Sequence, residues 1–226
     1  APNGKPVVHK ASGKLTRLKE ALRDGLPEGT TGIGHTRWAT HGGPTDFNAH
    51  PHTDCHGDVM VAHNGIIENY LELKEQLQAQ GHVFQSQTDA ECIPHLIETY
   101  LHEEYSLVDA LRATAVQIRG ANAIVALSKN EPDKIVAVRL GNAGGIVVGY
   151  GEDEMLLASD LQALLAHTRN VVYLTGGELA AITQKGVRYS LLDGSPIEKT
   201  ASRVPNDAVS AVKGQYKHFM LKEINE

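Results

Sequence analysis

The sequence predicts an α+β domain in which helices cover sheets that pack on one another. Two observations carry this: two strand-rich regions bracket a pair of helices, and from residue 122 onward strand-like runs follow one another to residue 191. A third is size. With 226 residues, 41% of them hydrophobic and 21% charged, the chain is long enough to bury a sizeable core and is read as one domain.

The elements follow from period and punctuation. Residues 6–9 read as a short strand, and Leu15, Leu18 and Leu22 recur at helical spacing just after it. Residues 31–38 read as a strand running into a polar loop over 39–57, and residues 59–63 as a strand ending at Asn64-Gly65. A helix is expected over 68–80, with Tyr70, Leu73 and Leu77 on one face and Gly81 as its stop. After a short strand at 82–84, Ser86 or Thr88 is expected to cap a helix carrying Ile93, Leu96, Ile97 and Tyr100. The next helix, 107–118, starts at Ser106 with Asp109 as capping-box partner. Strands are expected at 123–127, 135–140, 145–150, 155–158, 171–174, 179–183 and 187–191, with a short helix starting at Ser159-Asp160. The Gly-rich run 141–145 lacks the Gly-Lys-Ser/Thr ending of a phosphate loop and is read as a hairpin turn. From Asp193 patterning weakens until an amphipathic stretch at 213–224.

Charge and cysteine content exclude several classes. The net charge is −6 without a basic cluster, so nucleic acid and anionic membrane are not expected partners. No apolar run approaches the ~20 residues of a membrane span. Two cysteines give no disulfide framework, which points to a cytoplasmic protein with free thiols. Cys92 falls on an apolar helix face and is read as core; Cys55, beside His56 in a polar loop, could be a reactive thiol.

The candidate chemistry lies in three polar segments set among apolar ones: Gly32 to Gly42, Asn48-Ala49-His50-Pro51-His52, and His63 to Tyr70. Arg37 is a natural bidentate partner for a carboxylate, the bland reading being an Arg paired with an acid, with Trp38 in the core. Asp89 could hold an ammonium or merely cap a helix. Asn64-Gly65 could be a turn, or could place an amide and a backbone N–H side by side for an oxyanion. Together they describe a site for an α-amino acid bearing a reactive carbonyl. His50, His52, His56 and His63 with Cys55 resemble a zinc cluster, but CxxC pairs and an HExxH helix are missing, and satisfied loop histidines are the better account; no metal and no cofactor are expected.

Three runs, His35-Thr36-Arg37-Trp38-Ala39-Thr40-His41-Gly42, Asn48-Ala49-His50-Pro51-His52 and His63-Asn64-Gly65-Ile66-Ile67-Glu68-Asn69-Tyr70, resemble the glutaminase domain of the glutamine–fructose-6-phosphate aminotransferases (isomerizing), the glucosamine-6-phosphate synthases. Ser86-Gln87-Thr88-Asp89-Ala90-Glu91 resembles that family's Ser-Glu-Thr-Asp-Thr-Glu turn, departing at Gln87 and Ala90, and Ala158-Ser159-Asp160 and the tail from His218 resemble later segments.

The resemblance covers nearly the whole chain. It implies an N-terminal nucleophile hydrolase sandwich of glutamine amidotransferase type 2, two antiparallel sheets between helical layers. It implies that glutamine is hydrolysed to glutamate and ammonia for transfer to fructose-6-phosphate in amino-sugar synthesis. Residue by residue, Arg37 is implied to hold the glutamine α-carboxylate with Thr40 and His41 lining that loop, and Asp89 the α-ammonium. Asn64 and the Gly65 N–H are implied to form the oxyanion hole, and Trp38 to help close an ammonia passage. Residues 1–212 would be the glutaminase domain and 213–226 the start of a linker to a sugar-isomerase domain, through which a homo-oligomer is expected. The family's nucleophile is an N-terminal cysteine, whereas this sequence starts at Ala1, so the 226 residues alone are expected to bind glutamine without hydrolysing it. Two other readings stand beside this one: a catalytically dead glutamine-binding regulatory module, and a zinc-binding interaction domain built on the histidine loop.

Overall fold

The computed structural model describes residues 6–23, 25, 27–142 and 144–205. The expected linker at 213–226 lies outside them. The strands form two antiparallel sheets. The larger takes β1 (His52–Thr53), β2 (Val59–Gly65), β3 (Asn122–Ser128), β4 (Lys134–Leu140), β8 (Glu178–Thr183), β9 (Gly186–Leu191) and β10 (Pro196–Ile197), in the order β1-β2-β3-β4-β8-β9-β10. The smaller takes β5 (Val147–Tyr150), β6 (Met155–Ala158), β7 (Asn170–Tyr173) and β11 (Ser202–Arg203), in the order β11-β7-β5-β6.

Alternation along the interior strands explains the layers. In β2 and β3, Val59, Val61, Ile124 and Ala126 face one way and join Val136, Val138 and Leu179 from β4 and β8. Against them pack the apolar stripes of α3 (Cys92–His102) and α4 (Leu107–Gln117), through Ile93, Leu96, Ile97, Leu107 and Leu111; α2 (Tyr70–Ala79) adds Leu73 and Leu77. The opposite residues, Ala123, Ala137, Ala180 and Ile182, meet Ile146, Val148, Val172 and Leu174 from the smaller sheet and its flanks. Small side chains on that face let the two sheets approach. Beyond the smaller sheet, Leu164, after a 3₁₀ turn at Leu161–Ala163, packs on Val147 and Val171.

Most expected elements form, with shifted ends. Several expectations fail. Residues 6–9, 31–38 and 82–84 have no ladder partner among the described residues and stay irregular. A strand is made by its neighbour as much as by its own sequence, and Gly32 and Gly34 weaken this one further. Helix α1 (Leu15–Ala21) forms where expected, though it buries no residue. Neither Ser86 nor Thr88 caps α3; a 3₁₀ turn, Asp89–Glu91, precedes it, and the Thr88 side chain makes no cap bond. Residues 141–145 are not a hairpin turn: β4 and β5 belong to different sheets, so this run carries the chain between layers.

The capping box of α4 does form. The Asp109 N–H donates to Ser106 Oγ at 3.2 Å, and the Ser106 hydroxyl donates to Asp109 Oδ2 at 2.6 Å. Ser106→Ala is expected to cost about 1 kcal/mol, read as a lower urea midpoint at unchanged slope.

Candidate active site

All seven residues singled out in the sequence, Arg37, Trp38, Thr40, His41, Asn64, Gly65 and Asp89, line one cavity of about 140 Å³. β2 delivers Asn64 and Gly65 at its end, the 3₁₀ turn delivers Asp89, and the irregular 35–41 segment supplies the rest. A second cavity of about 230 Å³ shares His35, His63 and Asn64 and extends between residues 32–35 and 155–159.

Backbone conformation sets the Asn64 end. Gly65 has φ +137°, a region that side chains avoid, and a Cβ there would lie 2.5 Å from the Ala121 carbonyl oxygen. Asn64 Oδ1 is 2.9 Å from His35 Nε2. A carbonyl oxygen can only accept, so this pairing places the proton on His35 Nε2 and leaves the Asn64 NH₂ as a donor. Orienting Asn64 is a role for His35 that was not legible in the sequence, where His35 was one polar residue in a run of them.

Arg37 does not pair with an acid among the described residues. Its guanidinium donates to three backbone carbonyls of its own loop: Gly43 at 2.8 Å, Gly42 at 3.1 Å, and His41. It therefore shapes the 41–43 turn. Asn48, 2% exposed, fastens that turn to the next: its Nδ2 donates to Gly43 O at 3.0 Å and Gln87 Oε1 at 3.2 Å, and its Oδ1 accepts the Gln87 N–H at 2.9 Å. Gly42 permits this closeness, since a Cβ there would meet Asn48 Nδ2 at 2.7 Å. The core reading of Trp38 is overturned: its side chain is 87% exposed at the cavity rim.

Asp89 is buried and does not act as a simple helix cap. Its Oδ2 accepts the Ile67 N–H at 2.8 Å, tying the turn to the segment after β2, while Oδ1 lies 3.8 Å from His41 Nδ1, beyond hydrogen-bond reach. Glu91 holds the turn from behind, accepting from the Gln85 N–H at 2.7 Å and from the Ser86 N–H and hydroxyl at 2.6 Å each. Burial opposes its charge, but contacts from His95, Gln85 and Ser86 outweigh this and hold its pKa down to about 2.

His35, His50 and His63 line the cavity, and His52 packs against His50. The His50 ring centroid lies 4.3 Å from that of His35, 4.7 Å from His52 and 6.4 Å from His63. Burial, reinforced by His35, His52 and His63, lowers the pKa of His50 to about 2; burial, with Lys10 as the next cause, lowers that of His52 to about 4. His63 is lowered by burial as well and meets Asn122 Oδ1 at 2.8 Å. His50, His52 and His63 are therefore neutral at neutral pH. The unfolded chain takes up their protons near pH 6.5 and the folded chain refuses them, so stability is intact above that pH and falls as pH drops from about 6.5 toward 4. Each refused proton steepens the fall by about 1.4 kcal/mol per pH unit. His50→Asn is expected to flatten the dependence of urea-unfolding free energy on pH across that window.

The histidine loop does not assemble the zinc set considered above. His50 and His63 line the cavity and His52 packs against His50, whereas Cys55 and His56 face α3. Neither thiol lines the cavity. Burial raises the pKa of Cys55, and raises that of Cys92 to about 12 in the core, so neither is an activated thiolate.

Two packed antiparallel sheets, with the helices on one of them and a polar pocket at the end of β2, define the N-terminal nucleophile fold of type 2 glutamine amidotransferases. Comparison agrees. The structure superposes on the glutamine phosphoribosylpyrophosphate amidotransferase of B. subtilis, solved with ADP and GMP, with a TM-score of 0.59 and 25% identity over 70% of this chain and 34% of that one. A family described as "Glutamine amidotransferase domain" matches residues 35–166, more than half of the chain, and the chain belongs to that family. Among curated relatives, it is 50% identical over 220 residues to the glutamine–fructose-6-phosphate aminotransferase (isomerizing) of Methanothermobacter thermautotrophicus, covering 97% of this chain and 37% of the relative. It is 48% identical over 226 residues to the enzyme of the same name from Thermus thermophilus, covering 100% and 36%. The chain thus spans little more than a third of the length of these relatives. No helix among the described residues is long and apolar enough to cross a membrane.

Proposed function

We propose that this chain is the glutaminase part of a glutamine–fructose-6-phosphate aminotransferase, releasing ammonia from L-glutamine for transfer to the sugar phosphate. The observation that carries the reading is the convergence of a guanidinium, a carboxylate and a side-chain amide on one small cavity. Glutamine offers the complementary set: an α-carboxylate for Arg37, an α-ammonium for Asp89, and a carboxamide for the Asn64–Gly65 end. Arg37 retains N–H groups beyond those given to residues 41–43, and Asp89 Oδ1 is the oxygen not held by Ile67.

In this reading the nucleophile is the N-terminal cysteine thiolate that the resemblance supplies, which these 226 residues do not hold. It attacks the carboxamide carbon, and the carbonyl oxygen becomes an oxyanion that accepts from Asn64 Nδ2 and the Gly65 N–H. Collapse expels ammonia as the nitrogen takes the proton that the N-terminal α-amine accepted from the thiol, and water then releases glutamate from the thioester. Neutral His50 and His63 put no cation beneath the substrate. Exposed Trp38 at the rim would meet whatever closes the ammonia passage, in this reading the sugar-isomerase domain following residues 1–212 and the linker that starts at 213, with oligomerisation through that domain in the cytoplasm.

Calorimetric titration with L-glutamine tests the pocket directly. Saturable binding is expected, and Arg37→Ala is expected to weaken it roughly 10–100-fold through loss of a charge-assisted partner. A folded protein with no glutamine binding would overturn the assignment, and an Arg37→Ala variant with unaltered affinity would confine Arg37 to shaping its loop.

A further inference from the structure

Four ligand-type side chains meet on the other side of α3, none of them lining the cavity. Cys55 Sγ lies 3.6 Å from Nδ1 of His82 and 3.6 Å from Nδ1 of His95. Glu98 Oε2 lies 2.9 Å from His82 Nδ1 and 3.4 Å from His95 Nδ1. One ligand atom from each of the four falls within 4.8 Å of all the others. His95 and Glu98, one helical turn apart on α3, are buried at 1% and 3%, while Cys55 opens to the surface.

Three of these four distances match the edges of a coordination tetrahedron, and the fourth, His82 to Glu98, is shorter by about 0.4 Å. A zinc ion with bonds of about 2.3 Å to sulfur and about 2.0–2.1 Å to nitrogen and oxygen holds S and N about 3.6 Å apart, and N and O about 3.3 Å apart. Proton counting points the same way. Thr99 Oγ1 has one hydrogen, given to the His95 carbonyl at 3.1 Å, so its 3.1 Å contact with His82 Nε2 needs the proton on His82. With that proton on Nε2, the Nδ1 facing a carboxylate oxygen 2.9 Å away needs either a second ring proton or a bound cation, and a cation shared with Cys55 and His95 meets all four groups at once. That arrangement, one ring nitrogen aimed inward and the other donating outward to a fixed acceptor, is the usual support of a metal-bound histidine. The outward nitrogen of His95, Nε2, faces Glu91 Oε1 at 3.8 Å.

We propose that Cys55, His82, His95 and Glu98 form a closed structural zinc site that fastens the 54–57 turn and residue 82 to α3. On binding, the Cys55 thiol gives its proton to solvent and a Zn–S bond forms, with both Nδ1 atoms and Glu98 completing four protein ligands. His56, whose Nε2 is 3.6 Å from Glu98 Oε1 and whose side chain is largely exposed, is outside the set.

The test uses the full chain, stripped with a chelator and returned to zinc or cobalt(II) alone. One zinc per chain is expected by elemental analysis. Free zinc at a hundredfold excess over its Kd is expected to raise Tm by roughly 5–10 °C. Cobalt is expected to give tetrahedral d–d bands with a thiolate charge-transfer band. Cys55→Ser, at an exposed position that leaves the fold intact, should abolish the charge-transfer band; His82→Asn should abolish stoichiometric binding; His56→Asn should change neither. Substoichiometric zinc with unchanged Tm in the wild type would overturn the proposal in favour of an imidazolium–carboxylate pair. A cobalt spectrum unaffected by Cys55→Ser, or binding lost in His56→Asn but kept in His82→Asn, would overturn this ligand set. None of these readouts involves glutamine, so the outcome is independent of the proposed activity.

Discussion

Asn64→Ala is expected to lower kcat for glutamine hydrolysis by about 10²–10³-fold, with KM nearly unchanged, in the protein bearing the N-terminal cysteine. The Asn64 amide has its oxygen occupied by His35 at 2.9 Å, so its NH₂ is held in one orientation before substrate arrives. A donor fixed in advance stabilises charge that develops only in the transition state, and its loss appears in kcat. Arg37, if it holds a carboxylate charged throughout as proposed, would affect ground and transition states alike. Steady-state glutamate production separates the two. Unchanged kcat with raised KM in Asn64→Ala would make Asn64 a substrate-binding residue. His35→Ala, freeing the Asn64 amide to rotate, should reproduce part of the kcat loss without touching the substrate.

Gly65→Ala is expected to be among the most destabilising substitutions in the chain. The residue sits at φ +137°, and a Cβ would be placed 2.5 Å from Ala121 O and 2.7 Å from Asn122 Oδ1. Backbone strain of about 1–3 kcal/mol and overpacking of about 1–3 kcal/mol add at this point. For a domain of this size the combined loss corresponds to a Tm lower by roughly 10 °C. Relief by moving the Asn122 side chain would break its 2.8 Å contact with buried His63, so the cheap escape is closed. A thermal melt within a degree or two of the wild type would show that β2 and β3 yield more easily than this geometry implies.

The two elements nearest the site illustrate what a sequence can and cannot carry. Residues 59–65 are legible because nearly every position is apolar until His63-Asn64-Gly65, so burial and the change to polar chemistry fall within one run. Residues 31–38 look just as strand-like, yet they stay irregular, because pairing depends on what lies alongside. The 141–145 run reads locally as a turn, and nothing local reveals that the strands on either side belong to different sheets.

Residue identity by itself determined the α+β class, the principal strands and helices, the capping box at Ser106 and Asp109, and the polar side chains that come to share one cavity. Those properties depend on periodicity and functional groups, which are local. Tertiary structure alone decided that Arg37 spends its donors on carbonyls of its own loop, that Trp38 is exposed, that His35 orients Asn64, and that Cys55 joins His82, His95 and Glu98 rather than the histidines beside it in sequence. Each of these relations spans residues brought together only when the sheets and α3 pack. A hydrogen bond or a ligand shell is fixed by distances of a few ångströms, and the chain acquires those distances by folding.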